Sequence, residues 1–215
     1  MYIVELLKAN EVEGCYHEKC PDLDELGIFH YEGKVSDRRL SQLLIHTRKN
    51  VFFEANNRLF SMTKVLKQCF PDCRFIHLHR DPRDLFPSAF SKPIEITWNS
   101  GRVRYNSVKL CGSPESSILE RSCNYWTNYN QLILDDLEGE QYISLKFSDL
   151  IKGNIDSLEQ FMNLKLSTQK IPPVNANKPV REEGKYEQFE KWNAEDQNMV
   201  INKCGPLMKT LGYEL

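Results

Sequence analysis

The sequence predicts an α/β fold, a three-layer α/β/α arrangement around a central parallel sheet. Three observations lead there. Three short apolar runs, VFFE (51–54), RFIHLH (74–79) and YISLKF (142–147), have the length of buried strands. Segments with helical spacing separate them, so the connections are βαβ crossovers rather than hairpins. Two of the three strand ends carry chemistry: Glu54 with Asn56, Asn57 and Arg58 after VFF, and Arg80 with its charged neighbours after FIHLH. In parallel sheets, ligands sit beyond the carboxyl ends of the strands.

The elements follow in order. Residues 1–8 read as a short helix with Ile3, Val4, Leu6 and Leu7 as its apolar part. Residues 11–35 are mixed and turn-rich. Ser36 suits an N-cap, with Leu40, Leu43 and Leu44 at helical spacing behind it. After VFFE, Ser61 is expected to cap a helix whose Met62, Val65, Leu66 and Cys69 share a face, ended by Pro71. After RFIHLH, Asp81 followed by Pro82 marks a helix start. Residues 92–118 hold Lys-Pro, Asn-Ser-Gly and Gly-Ser-Pro clusters and read as a long irregular insertion. A strong helix is expected over about 119–137, with Leu119, Cys123, Trp126, Ile133 and Leu137 on one face. Further helices are expected over 155–164 and 195–211, the last stopped by Gly212. The expectation is one domain spanning 1–215.

Composition narrows the function. Net charge is −2 over 215 residues, so no global basic field favours nucleic acid or an anionic membrane, and any anion must be held by a local site. No apolar run approaches 18 residues, and MYIVELLKANEVEG lacks the features of a signal peptide. Seven cysteines, at 15, 20, 69, 73, 111, 123 and 204, favour a reduced compartment, so the chain is expected to be cytoplasmic. CYHEKC and CFPDC have spacings unlike paired zinc knuckles, so no metal is expected.

RDPRDLFPS (80–88) is the densest chemical feature. Arg80 at a strand end offers a planar fork to a phosphate. The following helix offers N–H groups and a positive dipole end. Ser88 stands about two turns in, with a hydroxyl for the same anion. Either Arg83 and Asp84 pair locally or Asp84 orients Arg80. The plain alternative is a solvated helix start whose charges pair with each other.

FIHLHRDPRDLFPS resembles the 3′-phosphate-binding segment of PAPS-dependent sulfotransferases. In that family an arginine at a strand end and a serine eight residues on hold the 3′-phosphate of the donor. Arg80 and Ser88 match both positions. VFFEANNRL resembles the preceding strand end, where carbohydrate-type members carry a glutamate that acts as base; Glu54 matches it. NYWTNYNQLIL, YISLKFSDLIKG and EKWNAEDQNMVINKCGPLMKTLGYEL resemble the family's Trp-bearing helix, its later strand and its closing segment. The resemblance spans about 51–215 in the family's order.

The resemblance implies a P-loop-NTPase-like fold, PAPS as sulfuryl donor and a hydroxyl (or amine) acceptor, expected to be a carbohydrate. It implies that Phe147 lies near the donor nucleotide, with core packing as the alternative. It implies that Arg181 belongs to a late basic loop reaching the 3′-phosphate, with an ordinary surface charge as the alternative. Arg58, Trp98, Arg102 and Arg104 are the expected acceptor contacts, aromatic and basic as an acidic sugar requires. For Glu54 the alternative is a structural salt bridge to Arg58 or Arg80.

Three departures accompany the resemblance. The loop that binds the 5′-phosphosulfate is missing; GKVS (33–36) reads as a loop and helix cap, and MYIVELL reads as the continuation of the helix such a loop opens. The first strand and the loop are therefore expected upstream of Met1, and the 215-residue chain alone is expected to be inactive or weak. A lost upstream anchor would place the protein in the Golgi lumen instead. Ala55 stands where many relatives have lysine, and Pro87 is expected to kink or delay the helix before Ser88. Two rival functions remain: a non-catalytic nucleotide- or partner-binding remnant, and a P-loop kinase or NTPase. The latter lacks a GKS/T loop and a Walker-B aspartate.

Overall fold

A computed structural model describes residues 2–17, 23–48, 50–90, 107–168 and 188–215. They form a mixed α/β structure whose residues group into two compact units: 1–77 with 139–179, and 78–138 with 180–215.

In the first unit, α1 (Tyr2–Ala9) buries Ile3, Val4, Leu6 and Leu7, the four residues expected. They join Cys15, Leu150, Ile155, Leu158 and Met162 in one core. β1 (Cys15–His17) runs parallel to β2 (Phe53–Ala55), pairing Cys15 with Phe53, Tyr16 with Glu54 and His17 with Ala55. The entry to β1 depends on Gly14. Its φ is 72°, and an added Cβ would lie 3.0 Å from the Asn50 carbonyl oxygen and 3.1 Å from the Phe52 nitrogen. Neither that strand nor α2 (Leu23–Tyr31) was expected within 11–35.

α3 (Asp37–Thr47) and α4 (Thr63–Cys69) face each other through Leu40, Leu44, Met62 and Val65, with Leu66 and Cys69 packed beside them. Ser36 stands at the N-cap of α3, but its side chain makes no capping bond. Ser61 does not cap α4: Met62 holds that position, and the Ser61 hydroxyl donates to the Gly27 carbonyl at 2.9 Å. A 3₁₀ turn (Asn57–Leu59) lies between β2 and α4.

β3 (Phe75–His79) pairs with β4 (Tyr142–Lys146), and the Phe75 N–H donates to the Gln141 carbonyl at 3.1 Å. α8 (Phe147–Ile151) follows β4 directly, and α9 (Asp156–Met162) closes this unit's core. Among the described residues the four strands form two two-stranded sheets.

In the second unit, α5 (Pro82–Phe90), α7 (Ile118–Leu137) and α10 (Ala194–Thr210) enclose a core, and α6 (Val108–Cys111) packs against α7. Phe86, Cys123, Trp126, Val200, Cys204, Leu207, Met208 and Leu211 fill it. Ser117 and Asn193 cap α7 and α10, accepting from the Glu120 and Asp196 N–H groups at 3.1 and 2.9 Å. α5 starts at Pro82 and continues through Pro87, so the helix is not delayed. Proline at the sixth position removes the bond that would reach the Arg83 carbonyl. The six cysteines described, all but Cys20, are free thiols.

Candidate active site

Glu54 is the middle residue of β2. Strand alternation sends Phe53 and Ala55 into the core built on α1, and Glu54 to the other face. There its carboxylate is nearly buried, with the side chain 6% exposed, and it meets Arg48, 5% exposed. Arg48 Nη2 donates to Glu54 Oε1 at 2.9 Å, and Asn56 Nδ2 donates to the same oxygen at 2.8 Å. Arg48 Nε lies 2.8 Å from Oε2, an ionic approach not aligned as a hydrogen bond. Arg48 is the C-cap residue of α3, where a cation complements the helix dipole.

Neither salt bridge considered from the sequence names this partner. A buried pair of this kind joins a helix end to a strand end, and it depends on packing that local pattern does not encode. The available signal was slight: an arginine closing a helix just before an apolar run that ends in glutamate. Arg58 has its backbone in the 3₁₀ turn, and its side chain lies outside the described residues.

Arg80 follows β3 and is held at several points. Its carbonyl accepts from Trp126 Nε1 at 3.0 Å, and its Nη2 donates to the Asp84 carbonyl at 3.1 Å. The guanidinium thus lies back over the first turn of α5, anchored by the backbone of Asp84. The residue before it is pinned as well: His79 is buried, shares a 2.8 Å hydrogen bond with the Tyr213 hydroxyl and meets that ring edge-on. Trp126 and the Leu-Gly-Tyr ending therefore act as supports for the strand end. Trp126 is 3% exposed, as expected of a core residue.

The start of α5 differs from a vacant anion cradle. Asp81 Oδ1 accepts from the Arg83 N–H at 2.8 Å. Its two oxygens also receive the Arg83 guanidinium, at 3.0 Å for Nε–Oδ1 and 2.7 Å for Nη2–Oδ2. That hydrogen bonding holds Arg83 above its usual range, and Arg83 Nη2 also donates to the Glu214 carbonyl at 2.7 Å. Asp81, not Asp84, is the partner of Arg83. The backbone of α5 carries Ser88, and its side chain lies outside the described residues.

Phe147 opens α8 half-buried and meets Tyr2 edge-on, ring centroids 6.4 Å apart. Trp98, Arg102, Arg104 and Arg181 lie outside the described residues. Glu54 belongs to the first unit and Arg80 to the second. Among the described residues, no group of three or more His, Cys, Asp or Glu is placed to hold a metal ion, and no helix is long and apolar enough to cross a membrane.

Comparison with known proteins adds one match: a model described as the sulfotransferase family covers residues 13–167. No curated protein and no solved structure matches the chain.

Proposed function

The chain belongs to the sulfotransferase family, and from that premise we propose that it transfers the sulfuryl group of PAPS to a hydroxyl of a carbohydrate acceptor. The observation that carries this reading is Arg80, fixed at the end of β3 by the Trp126 and Asp84 contacts. A guanidinium anchored this way suits a terminal phosphate monoester, and Arg80 with Ser88 is assigned to the 3′-phosphate. Phe147 and Arg181 are assigned to the nucleotide. Arg58, Trp98, Arg102 and Arg104 are assigned to the acceptor on sequence grounds.

Glu54 is assigned as the base. The donor supplies the sulfuryl group. Glu54 takes the acceptor hydroxyl proton as that oxygen bonds to sulfur and the sulfur–phosphate oxygen bond breaks, 3′,5′-ADP leaving with the electron pair.

Calorimetry with 3′,5′-ADP against ATP tests the donor. Binding of 3′,5′-ADP and not ATP is expected, falling at least about tenfold in Arg80→Ala, as loss of a charge-assisted contact implies. Preference for ATP would overturn the reading. Transfer by the 215-residue chain alone is expected to be weak, and Glu54→Gln is expected to keep nucleotide binding and lose the transfer that remains. One observation favours a second reading, a non-catalytic binding descendant: Asp81 already occupies the Arg83 N–H at the start of α5. Binding of neither nucleotide would favour it.

A further inference from the structure

We propose that the segment after α10, through Tyr213 and Glu214, clasps the turn that carries Arg80, making Tyr213 a positioning residue that strengthens the site's preference for a 3′-phosphate. The inference rests on the assignment of Arg80 to that phosphate. Two contacts flank the arginine. On the strand side, the Tyr213 hydroxyl shares a 2.8 Å hydrogen bond with His79 Nδ1, and the two rings meet edge-on with centroids 5.3 Å apart. On the helix side, Arg83 Nη2 donates to the Glu214 carbonyl at 2.7 Å, while both Asp81 oxygens hold the same guanidinium. Adjacent residues of one segment therefore grip the chain immediately before Arg80 and again at Arg83 beyond it.

The clasp is itself anchored on α10. The Gly212 N–H donates to the Lys209 carbonyl at 3.0 Å, and the Tyr213 N–H donates to the Met208 carbonyl at 2.9 Å. These are the two bonds of a Schellman ending, and they fold the chain back over the last turn. Leu215 lies against α10 at Gly205, where an added Cβ would meet its Cδ1 at 3.4 Å. Met208 and Leu211 are buried in the core that also holds Trp126. The clasp adds to the Trp126 and Asp84 contacts of Arg80 and replaces neither. A planar fork binds a phosphate only in the direction it faces. Loosening the backbone beside Arg80 should therefore weaken the grip on the phosphate it meets and spare the rest of the nucleotide.

Calorimetry on the full chain tests this without requiring turnover, by comparing 3′,5′-ADP with 5′-AMP, which lacks only the 3′-phosphate. The ratio of the two affinities isolates that phosphate. In Tyr213→Phe, which keeps the ring and drops the hydroxyl, the ratio is expected to fall by about threefold or more, part of what a charge-assisted contact contributes. Binding of 5′-AMP is expected to stay as it was. His79→Phe removes the same hydrogen bond from the strand side and is expected to act alike. An unchanged ratio in folded Tyr213→Phe overturns the proposal, as does equal weakening of both nucleotides, the mark of a purely structural role. Should Tyr213→Phe not fold, His79→Phe decides by the same two outcomes. The Arg80 assignment fails separately: a wild-type ratio near one removes it and the clasp's role together. A ratio lost in Arg80→Ala but kept in Tyr213→Phe removes the clasp alone.

Discussion

Glu54 shows how a single residue commits the fold around it. Burying one ion of a pair alone is far costlier than burying both, so the Arg48–Glu54 contact is expected to matter most when it is half broken. Arg48→Met should destabilise the protein by roughly 3–5 kcal/mol, and Arg48→Met with Glu54→Leu should recover most of that loss. Urea unfolding of the two variants beside wild type measures both. Equal midpoints for wild type and Arg48→Met would show that the pair contributes nothing. The sequence marked Glu54 as chemically loaded because a charge ended an apolar run. It did not mark Arg48, because ion pairing across a turn is a tertiary choice among many arginines. Asn50, between the two, takes a φ of 59°, a left-handed value that asparagine tolerates better than most residues.

At the scale of elements, the docking of α6 on α7 depends on side-chain amides. Asn124 Nδ2 donates to the Cys111 carbonyl at 3.1 Å, and Asn128 Nδ2 donates to the Leu110 carbonyl at 2.9 Å. These bonds satisfy carbonyls that a four-residue helix cannot pair internally. Gly112 ends α6 at a φ of 78°, and an added Cβ would sit 2.8 Å from Asn124 Nδ2. Gly112→Ala should therefore cost roughly 1–2 kcal/mol for the left-handed backbone alone, read as a lower melting temperature. Burial also pushes the Cys111 thiol up to about 11 from an ordinary 9.0. A folded-state value above the unfolded one contributes stability that is whole below pH 9.0 and lost as pH rises through about 11. Melting temperature should fall across that window, and less steeply in Cys111→Ala. β2, β3 and β4 were legible because apolar runs of strand length announce themselves. β1 was not, since Cys-Tyr-His among charges has no such run, and its pairing depends on the turn at Gly14. Ser61 misled for a related reason: a serine ahead of a helical pattern looks like a cap, yet its hydroxyl answers a carbonyl 34 positions away.

At the scale of the whole molecule, the grouping of distant segments into two compact units depends on tertiary contacts. Hydrophobic pattern says which residues are buried and not which other residues bury them. Each unit is discontinuous: 139–179 returns to the first, and 180–215 returns to the second. Leu150, Ile155, Leu158 and Met162 complete the core around α1 from the far side of residue 138. Val200, Cys204, Leu207 and Met208 do the same for the core around Trp126. A chain cut after Glu138 removes roughly half the buried members of both cores at once and leaves α1 and α7 with exposed apolar faces. Core residues stripped of their partners lose about 1.5–3 kcal/mol each, more than a domain's net stability when several are lost together. The fragment 1–138 is therefore expected to show no cooperative thermal transition by circular dichroism and little amide dispersion by NMR. A sharp melt and a dispersed spectrum from that fragment would show instead that the N-terminal two-thirds folds by itself, with β4, α8, α9 and α10 added to a core already made.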